Sequence, residues 1–195
     1  PFPAENLSKT FTRFRKKIEK EKLIPTEPIE VATLPPQLKL PLPKLTEHSL
    51  FHIEGKTNDY FIGGEKAAHD RVHAYFWESD RIQSYKETRN GMMDFDDSSK
   101  FSPWLALGCI SPKRIYFELK QYEQKRISNE STYWLYFELL WRDFFKFYSG
   151  VANKALFDLA GPQGRTLHLP PHREELFKRW QQGETESDFV NANMR

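Results

Sequence analysis

The segment from Tyr133 to Tyr148 constrains the fold more than any other part of the chain, because nine of its sixteen residues are aromatic. It contains no glycine and no proline, so the pattern predicts one long helix. At 100° per residue, an arc about 100° wide collects five chemically different side chains: Trp134, Glu138, Trp141, Arg142 and Phe145. Buried stripes are normally apolar, and solvent-facing stripes do not normally carry two tryptophans.

Two interpretations of this stripe are open. In the first, the stripe lines a pocket for a flat ligand that is polar at its edges and negatively charged. In the second, the segment is an aromatic core helix with an i,i+4 pair of Glu138 and Arg142, which contributes only about 0.2–0.5 kcal/mol at a surface. The segment alone does not decide between them.

Composition narrows the class of protein. The 195 residues are enough for one domain, or for one domain with an attachment. No stretch of 18 apolar residues occurs, so we predict no membrane span and no membrane partner. The single cysteine, Cys109, excludes an internal disulfide, and its apolar neighbours predict a small buried side chain rather than a nucleophile. The net charge of +2 permits a nucleic-acid partner without requiring one.

The start of the chain indicates its context. It begins with Pro1-Phe2-Pro3 instead of methionine and shows no signal-peptide pattern. We therefore expect a piece of a longer, soluble intracellular protein. The compartment would be the cytoplasm for a bacterial source and an organelle for a plant or alga.

The first sixty residues divide into a helix and a linker. Residues 9–22 have a basic helical pattern with three apolar residues on one side: Phe11, Phe14 and Ile18. The basic residues are interpreted as a solvated face, with a nucleic-acid patch as the alternative. Six prolines within residues 24–45 exclude a regular helix or a central strand. Residues 23–60 are therefore predicted to be an extended interdomain linker.

The rest of the chain, residues 61–195, predicts an all-α body without internal repeats. Besides the short helix considered below, helical patterns cover six segments: 65–77, 80–88, 111–125, a long segment from Asn129 or Ser131, 173–182 and the end of the chain from Asp188. Ser111 and Pro112 are typical of a helix start, and Gly183 is typical of a helix end. The strand-like runs are short, at 49–53 and 60–62.

His69 and His73 stand four residues apart, which places both on one helix face at a metal-ligand spacing. The sequence offers no evident third ligand, and alanine, valine and tyrosine surround the pair. We therefore predict no metal site.

A loop of serines and a lysine precedes a short predicted helix: Ser98, Ser99, Lys100, Phe101 and Ser102. Ser102 is the predicted N-cap, with Pro103 at the first helical position. Free N–H groups at a helix start, three hydroxyls and an ammonium group favour an anion such as a diphosphate. The alternative is an ordinary capped helix.

Tyr85 and Arg89 lie at i and i+4 of a predicted helix, so their side chains share one face. An aromatic ring and a guanidinium on one face can stack on a ring or reach a phosphodiester. The alternative is a surface packing pair.

Together these motifs resemble the DNA photolyase/cryptochrome family, and in particular its DASH-type cryptochromes. The similarity runs in order through Gly63-Gly64-Glu65 and four longer segments: Tyr75–Ile82, Tyr85–Gly91, Ser98–Pro112 and Glu138–Phe145. It implies that residues 61–195 are the N-terminal part of the family's FAD-binding helical domain. Residues 1–22 would be the last helix of its α/β antenna domain, and residues 23–60 the connector.

The resemblance also implies a set of site residues. Those matching the family's FAD contacts are Tyr85, Ser98, Ser99, Lys100, Phe101, Ser102, Glu138 and Arg142. Those matching its DNA contacts are Arg89, Glu138, Trp141, Arg142 and Phe145. Glu138 and Trp141 are the implied catalytic pair, because the indole would stack on a flipped pyrimidine dimer and the carboxylate would bond to a base edge.

The activity implied by the resemblance is that of a blue-light-driven deoxyribodipyrimidine photo-lyase. Excited reduced flavin gives an electron to a cyclobutane pyrimidine dimer, the ring opens, and the electron returns. DASH-type members are associated with dimers in single-stranded DNA, where flipping costs least. We expect a monomer, an inactive segment when isolated, and a folate antenna pigment only in the full-length protein.

Two other functions remain open at this point. A blue-light photoreceptor would keep the flavin without repairing DNA. A helical nucleic-acid-binding module would need no cofactor, and the predicted helix near 111–126 carries five basic residues that suit it: Lys113, Arg114, Lys120, Lys125 and Arg126.

Overall fold

The structure is a computed structural model that describes residues 6–29, Thr33, Pro36 and 60–195. These residues contain helices and no strand, which confirms the all-α prediction for the described part of the chain. The strand-like run at 60–62 forms no strand. The run at 49–53 and most of the predicted linker lie outside the described residues.

The chain divides into two compact units, Pro1–Tyr148 and Ser149–Arg195. The first unit holds helices α1 to α6, of which α6 continues into the second unit: Phe11–Glu21, Glu65–His73, Tyr85–Thr88, Ser102–Ala106, Pro112–Lys125 and Glu130–Ala152. The second unit holds α7 and α8: Glu174–Gln182 and Asp188–Met194. Short 3-10 turns occur at Arg81–Ser84, Phe95–Asp97 and Asn153–Leu156.

Helix α6 belongs to two hydrophobic cores of the first unit. Leu139 belongs to the larger core, which also contains buried residues of α2, α4 and α5. Leu140 joins the smaller core with three residues of α1, as the sequence pattern of that helix predicted: Phe11, Phe14 and Ile18. Consecutive helical residues point about 100° apart, so the two cores cover different sides of α6.

The predicted helix at 65–77 is interrupted. Helix α2 stops at His73, and Ala74–Glu78 form a π-helical turn in which the Ser79 N–H donates to the Ala74 carbonyl at 3.0 Å. Tyr75 and Phe76, which follow each other in this wider turn, are both fully buried. The predicted helix at 80–88 is likewise split into a 3-10 turn and α3.

Local signals placed the ends of the later helices correctly. The Ser111 hydroxyl accepts from the Arg114 N–H at 3.1 Å at the start of α5. Of the two predicted starts of α6, Asn129 is the cap, because its Oδ1 accepts from the N–H groups of Ser131 and Thr132, both at 3.0 Å. Gly183 ends α7 with φ of 66°, a conformation that glycine adopts without strain.

The Tyr122 hydroxyl gives this fold a dependence on alkaline pH. It donates to Asp80 Oδ1 at 2.6 Å and accepts from Gln83 Nε2 at 2.8 Å. Burial, and after it the bond to the Asp80 carboxylate, raise the pKa of Tyr122 to about 12.

An unfolded tyrosine ionises near pH 10, so between about pH 10 and pH 12 the unfolded state releases the Tyr122 proton first. We expect the free energy of unfolding to fall as the pH rises through this window, and Tyr122→Phe to make that fall shallower. Urea unfolding at a series of pH values measures both slopes. Equal slopes for the wild type and the variant would contradict the assignment.

Candidate functional site

Helix α3 is held against the first turn of α6 by polar contacts. Ser131 is buried, and its hydroxyl donates to Glu87 at 2.8 Å and accepts from the Lys86 N–H at 3.0 Å. The bond from Ser131 is the main cause that lowers the pKa of Glu87. Lys86 also pairs with Glu130. These contacts fix the position of α3 beside the mixed stripe of α6.

Arg89 and Glu138, one from each side of this junction, form a half-buried ion pair. The Arg89 guanidinium also lies over the Trp134 ring, 5.4 Å from its centroid, and the Lys86 ammonium lies 5.2 Å from the same centroid. The indole Nε1 of Trp134 is buried and has no hydrogen-bond partner among the described residues. The structure therefore brings two predicted site residues together and adds Trp134 to them.

Tyr85 connects this pair to the serine loop. Burial raises the pKa of Tyr85, and the Glu138 charge raises it further. The Arg89 charge and hydrogen bonding to the Arg89 and Ser99 side chains oppose that rise. Groups from both predicted halves of the site therefore act on the Tyr85 hydroxyl. The contacts of Thr88 with Asp97 and of Arg89 with Glu138 place the loop and the stripe next to the same end of α3.

Arg71 of α2 fixes the serine loop, a role that the sequence analysis missed. Its Nε donates to the Ser99 carbonyl at 3.0 Å and its Nη2 to the Ser98 carbonyl at 3.3 Å. Its Nη1 donates to Asp96 at 2.6 Å. The acidic residues before the serines were the available signal, because a half-buried carboxylate requires a cation nearby.

Two rings complete the surroundings of Arg71. Its guanidinium lies 4.8 Å from the centroid of Phe95 and 5.1 Å from that of Tyr75. On the other side of the loop, the Thr88 hydroxyl donates to the Asp97 carbonyl at 2.7 Å. Loop carbonyls are therefore held by α2 and α3, and the loop backbone has a defined shape.

The loop keeps other polar groups for a ligand. Among the described residues, the N–H groups of 98–101 have no hydrogen-bond partner, and neither do the side chains of Ser98, Lys100 and Ser102. Lys100 has φ of 56°, which turns the chain sharply between the serines and α4. This concentration of unpaired donors is suited to an anion.

The prediction of Ser102 as N-cap is wrong. The Leu105 N–H donates to the Phe101 carbonyl at 3.0 Å, which makes Ser102 the first helical residue, and no side chain caps α4. The buried Phe101 ring packs edge-on against Tyr75 and Phe76, with centroids 5.9 and 6.0 Å away. The buried ring holds Phe101 at the cap position, so α4 begins one residue earlier than predicted. Because the side chain is buried, only the backbone of Phe101 remains available to a cofactor.

Trp141 lies in a stack of aromatic rings between α1 and α6. The Phe11 ring is nearly parallel to the indole at a centroid distance of 3.6 Å, with an interplanar angle of 12°. The exposed Phe145 ring stacks with the same indole at 5.3 Å and 24°. A pyrimidine that stacks on Trp141 therefore has to displace one of these two rings.

Arg142 belongs to a different environment. Among the described residues it forms no ion pair with Glu138, so the alternative of a simple i,i+4 pair is wrong. Arg142 instead lines a cavity of about 630 Å³ with Lys113, Asp143 and Lys146, bounded by α1, α5 and α6. Burial raises the pKa of Asp143, and the positive charges of Arg142, Lys146 and Lys113 oppose that rise.

The two histidines of α2 each lie near a glutamate carboxylate. His69 lies 3.8 Å from Glu65, and His73 lies 3.2 Å from Glu78. In the part of the chain that the structure describes, no group of three His, Cys, Asp or Glu side chains could hold a metal ion. None of the described helices combines the length and the apolarity that crossing a membrane requires.

Similar proteins share both the sequence and the fold of the chain. No family model matches it. Over its whole length it is 43% identical to Cryptochrome DASH of Synechocystis, and 40% identical to a rice protein named Cryptochrome DASH, chloroplastic/mitochondrial. A solved cryptochrome structure from Synechocystis matches all of the chain with a TM-score of 0.77 and 42% identity. The chain belongs to the DNA photolyase/cryptochrome family.

The match extends to vertebrate members of the family and covers part of each relative. Cryptochrome DASH of zebrafish is 42% identical over 97% of the chain. The chain covers 41% of the Synechocystis protein, 35% of the rice protein and 37% of the zebrafish protein. The helical fold fits part of a cryptochrome helical domain, as the sequence motifs predicted.

Proposed function

We propose that this chain is the part of a DASH-type photolyase/cryptochrome that binds FAD and repairs cyclobutane pyrimidine dimers, with single-stranded DNA favoured. The observation that carries the proposal is the set of contacts made at the end of α3, where the Thr88 hydroxyl donates to the Asp97 carbonyl next to the serine loop at 2.7 Å and Arg89 pairs with Glu138. It joins an anion-binding loop to a floor of aromatic and charged side chains. FAD requires both, because it combines a diphosphate with two ring systems.

The donors of the serine loop fit a diphosphate. The N–H groups of 98–101, the hydroxyls of Ser98 and Ser102 and the Lys100 ammonium would hold its oxygens through charge-assisted hydrogen bonds. Helix α4 has only five residues, so its dipole adds little to this attraction. Lys100 therefore supplies most of the positive charge.

The groups beside the loop fit a ring system with polar edges. The Tyr85 hydroxyl and the unpaired Trp134 Nε1 can donate to it, and the Glu138 carboxylate can accept. Arg89 keeps the Glu138 charge compensated and holds the carboxylate in place. When bound, reduced flavin supplies the electron that opens the dimer under blue light. We propose that Arg142 reaches the cofactor only after a change of side-chain conformation.

The DNA side of the proposal rests on the aromatic stack. Stacking of a base on an aromatic side chain contributes about 1–3 kcal/mol per base. Phe145 is the exposed member of the stack, so we propose that it moves aside when a flipped pyrimidine reaches Trp141. We propose that the protein acts as a monomer.

The role of Lys100 gives a direct test. Lys100→Gln should weaken FAD binding about tenfold or more, because a hydrogen bond from a charged donor contributes about 1.5–3 kcal/mol. Flavin fluorescence titration of the protein measures this affinity. Lys154→Gln, at an exposed position in the second unit, is the matched control and should bind FAD like the wild type. Equal affinities of both variants would contradict the proposed diphosphate site.

A photoreceptor without repair activity is the second candidate. The observation in its favour is that both stacking contacts of Trp141 are already made by Phe11 and Phe145. Blue-light repair of a single-stranded oligonucleotide that carries a pyrimidine dimer separates the two functions. Flavin binding without repair would select the photoreceptor, and light-dependent repair with no repair in the dark would select the photolyase.

A further inference from the structure

Helix α1 has two sides of opposite chemistry. Its apolar residues are buried against α6, whereas Arg13, Lys16 and Lys20 lie on the opposite side and are exposed. Lys9, just before the helix, is exposed as well. We call these four residues the α1 cationic face. Within the described residues, none of the four forms an ion pair.

Glu19 of α1 does not neutralise this face. Glu19 accepts from the Tyr133 hydroxyl at 2.6 Å, and its carboxylate lies 4.0 Å from Arg15. Arg15 in turn donates to Tyr133 at 2.8 Å and lies over the Phe137 ring at 5.5 Å. Glu19 and Arg15 are therefore engaged with α6. The four positive charges of the cationic face remain available to a partner.

The N-terminal end of the α1 cationic face is the end of α1 that packs on the aromatic stack. Phe11 contacts Trp141, while Arg15 and Glu19 contact Tyr133, so α1 runs antiparallel to α6. The N-terminal end of α1 is therefore the end nearest to Trp141 and Phe145. From Arg13 to Lys20 the face extends about 10 Å along the helix at 1.5 Å per residue. A row of cations on a helix whose N-terminal end packs on an aromatic stack combines the two features by which proteins bind single-stranded nucleic acids.

A membrane surface fits this helix poorly. A basic amphipathic helix binds lipid by inserting its apolar side. The apolar side of α1 is fully occupied, since Phe11, Phe14 and Ile18 are at most 9% exposed. With respect to the part of the chain that the structure describes, only the charged side of α1 is free to make contacts.

We propose that the α1 cationic face binds the phosphate backbone of single-stranded nucleic acid outside the lesion pocket, without regard to sequence. The inference extends the DNA binding of the proposed function, but it requires neither flavin nor a lesion. Its effect is therefore expected on undamaged strands in the dark.

The test is the salt dependence of binding. Fluorescence anisotropy with labelled, undamaged oligothymidylate in the dark gives the logarithm of the binding constant against the logarithm of salt concentration, with a slope of about −0.7 per phosphate neutralised. In a variant with all four residues of the cationic face changed to glutamine, the magnitude of this slope should be smaller by up to about 2.8. If that variant folds poorly, Arg13→Gln with Lys20→Gln should reduce the slope by about 1.4.

A control with the same change in net charge replaces four basic residues of the second unit by glutamine: Lys154, Arg165, Arg173 and Lys178. Its slope should match the wild type. The inference is overturned if the cationic-face variant keeps the wild-type slope, if the slope decreases equally in both variants, or if the wild type does not bind the oligothymidylate. Equally tight binding of polyglutamate would also overturn it. Flavin content is measured on the same samples, so a failure here is distinguishable from a failure of the cofactor proposal.

Discussion

Arg71→Ala is expected to lower the free energy of unfolding by about 3 kcal/mol and to weaken flavin binding at the same time. The Arg71 side chain is only 12% exposed, and its loss would leave Asp96 without its cation and two loop carbonyls without their donor. Removing one partner of a buried ion pair costs about 3–5 kcal/mol, and the partial exposure of Asp96 places this case at the lower end. Urea unfolding and flavin titration measure the two effects.

Arg81→Ala is the matched control for this experiment. Arg81 is 40% exposed and makes a single bond to Asp94 at 3.1 Å, so its loss should cost at most about 1 kcal/mol. The loss of unfolding free energy in Arg71→Lys should lie between those of the two alanine variants. An ammonium group keeps the charge but cannot donate in a fork to several acceptors. If Arg71→Ala and Arg81→Ala destabilise equally, Arg71 does not organise the loop.

Phe14→Ala is expected to destabilise the first unit by about 3–5 kcal/mol, which is usual for a buried phenylalanine. The Phe14 ring is 2% exposed and lies 5.5 Å from the Phe144 ring between centroids. Its removal should release α1 from α6 and uncover Trp141, because Phe11 would lose its support. Urea unfolding gives the stability, and acrylamide quenching of tryptophan fluorescence reports the uncovered indole.

Phe145→Ala provides the comparison for Phe14→Ala. Phe145 is 59% exposed, and exposed side chains usually contribute within about 0.5 kcal/mol. The two variants remove the same side chain from the same aromatic cluster. Similar stabilities would show that α1 is not anchored by its buried face.

Much of the fold could be predicted because its signals are local. The cap at Ser111, the glycine at 183 and the apolar spacing of α1 are each readable within a few residues. The π-helical turn at Ala74–Glu78 and the early start of α4 could not be read in this way. Both depend on which rings the rest of the unit can bury, and that is decided by packing.

The site could be predicted in part for a similar reason. Tyr85 and Arg89 stand one helical turn apart, so their shared face follows from the sequence. The pairing of Arg89 with Glu138 joins residues forty-nine positions apart and depends on how α3 meets α6. The stack of Phe11 on Trp141 depends in the same way on the docking of α1. Long-range contacts of this kind leave no periodic trace in the sequence.

The position of α6 between two cores makes it a mechanical link between distant parts of the first unit. A helix turns as a rigid rod, so a rotation that moved Glu138 toward a ligand would swing Leu140 and Phe144 through the same angle. The packing of α1 on α6 is thereby coupled to the contacts of α6 with the ligand. Substitutions on the side of α6 that packs on α1 are therefore constrained by the side that faces the ligand, and the reverse also holds.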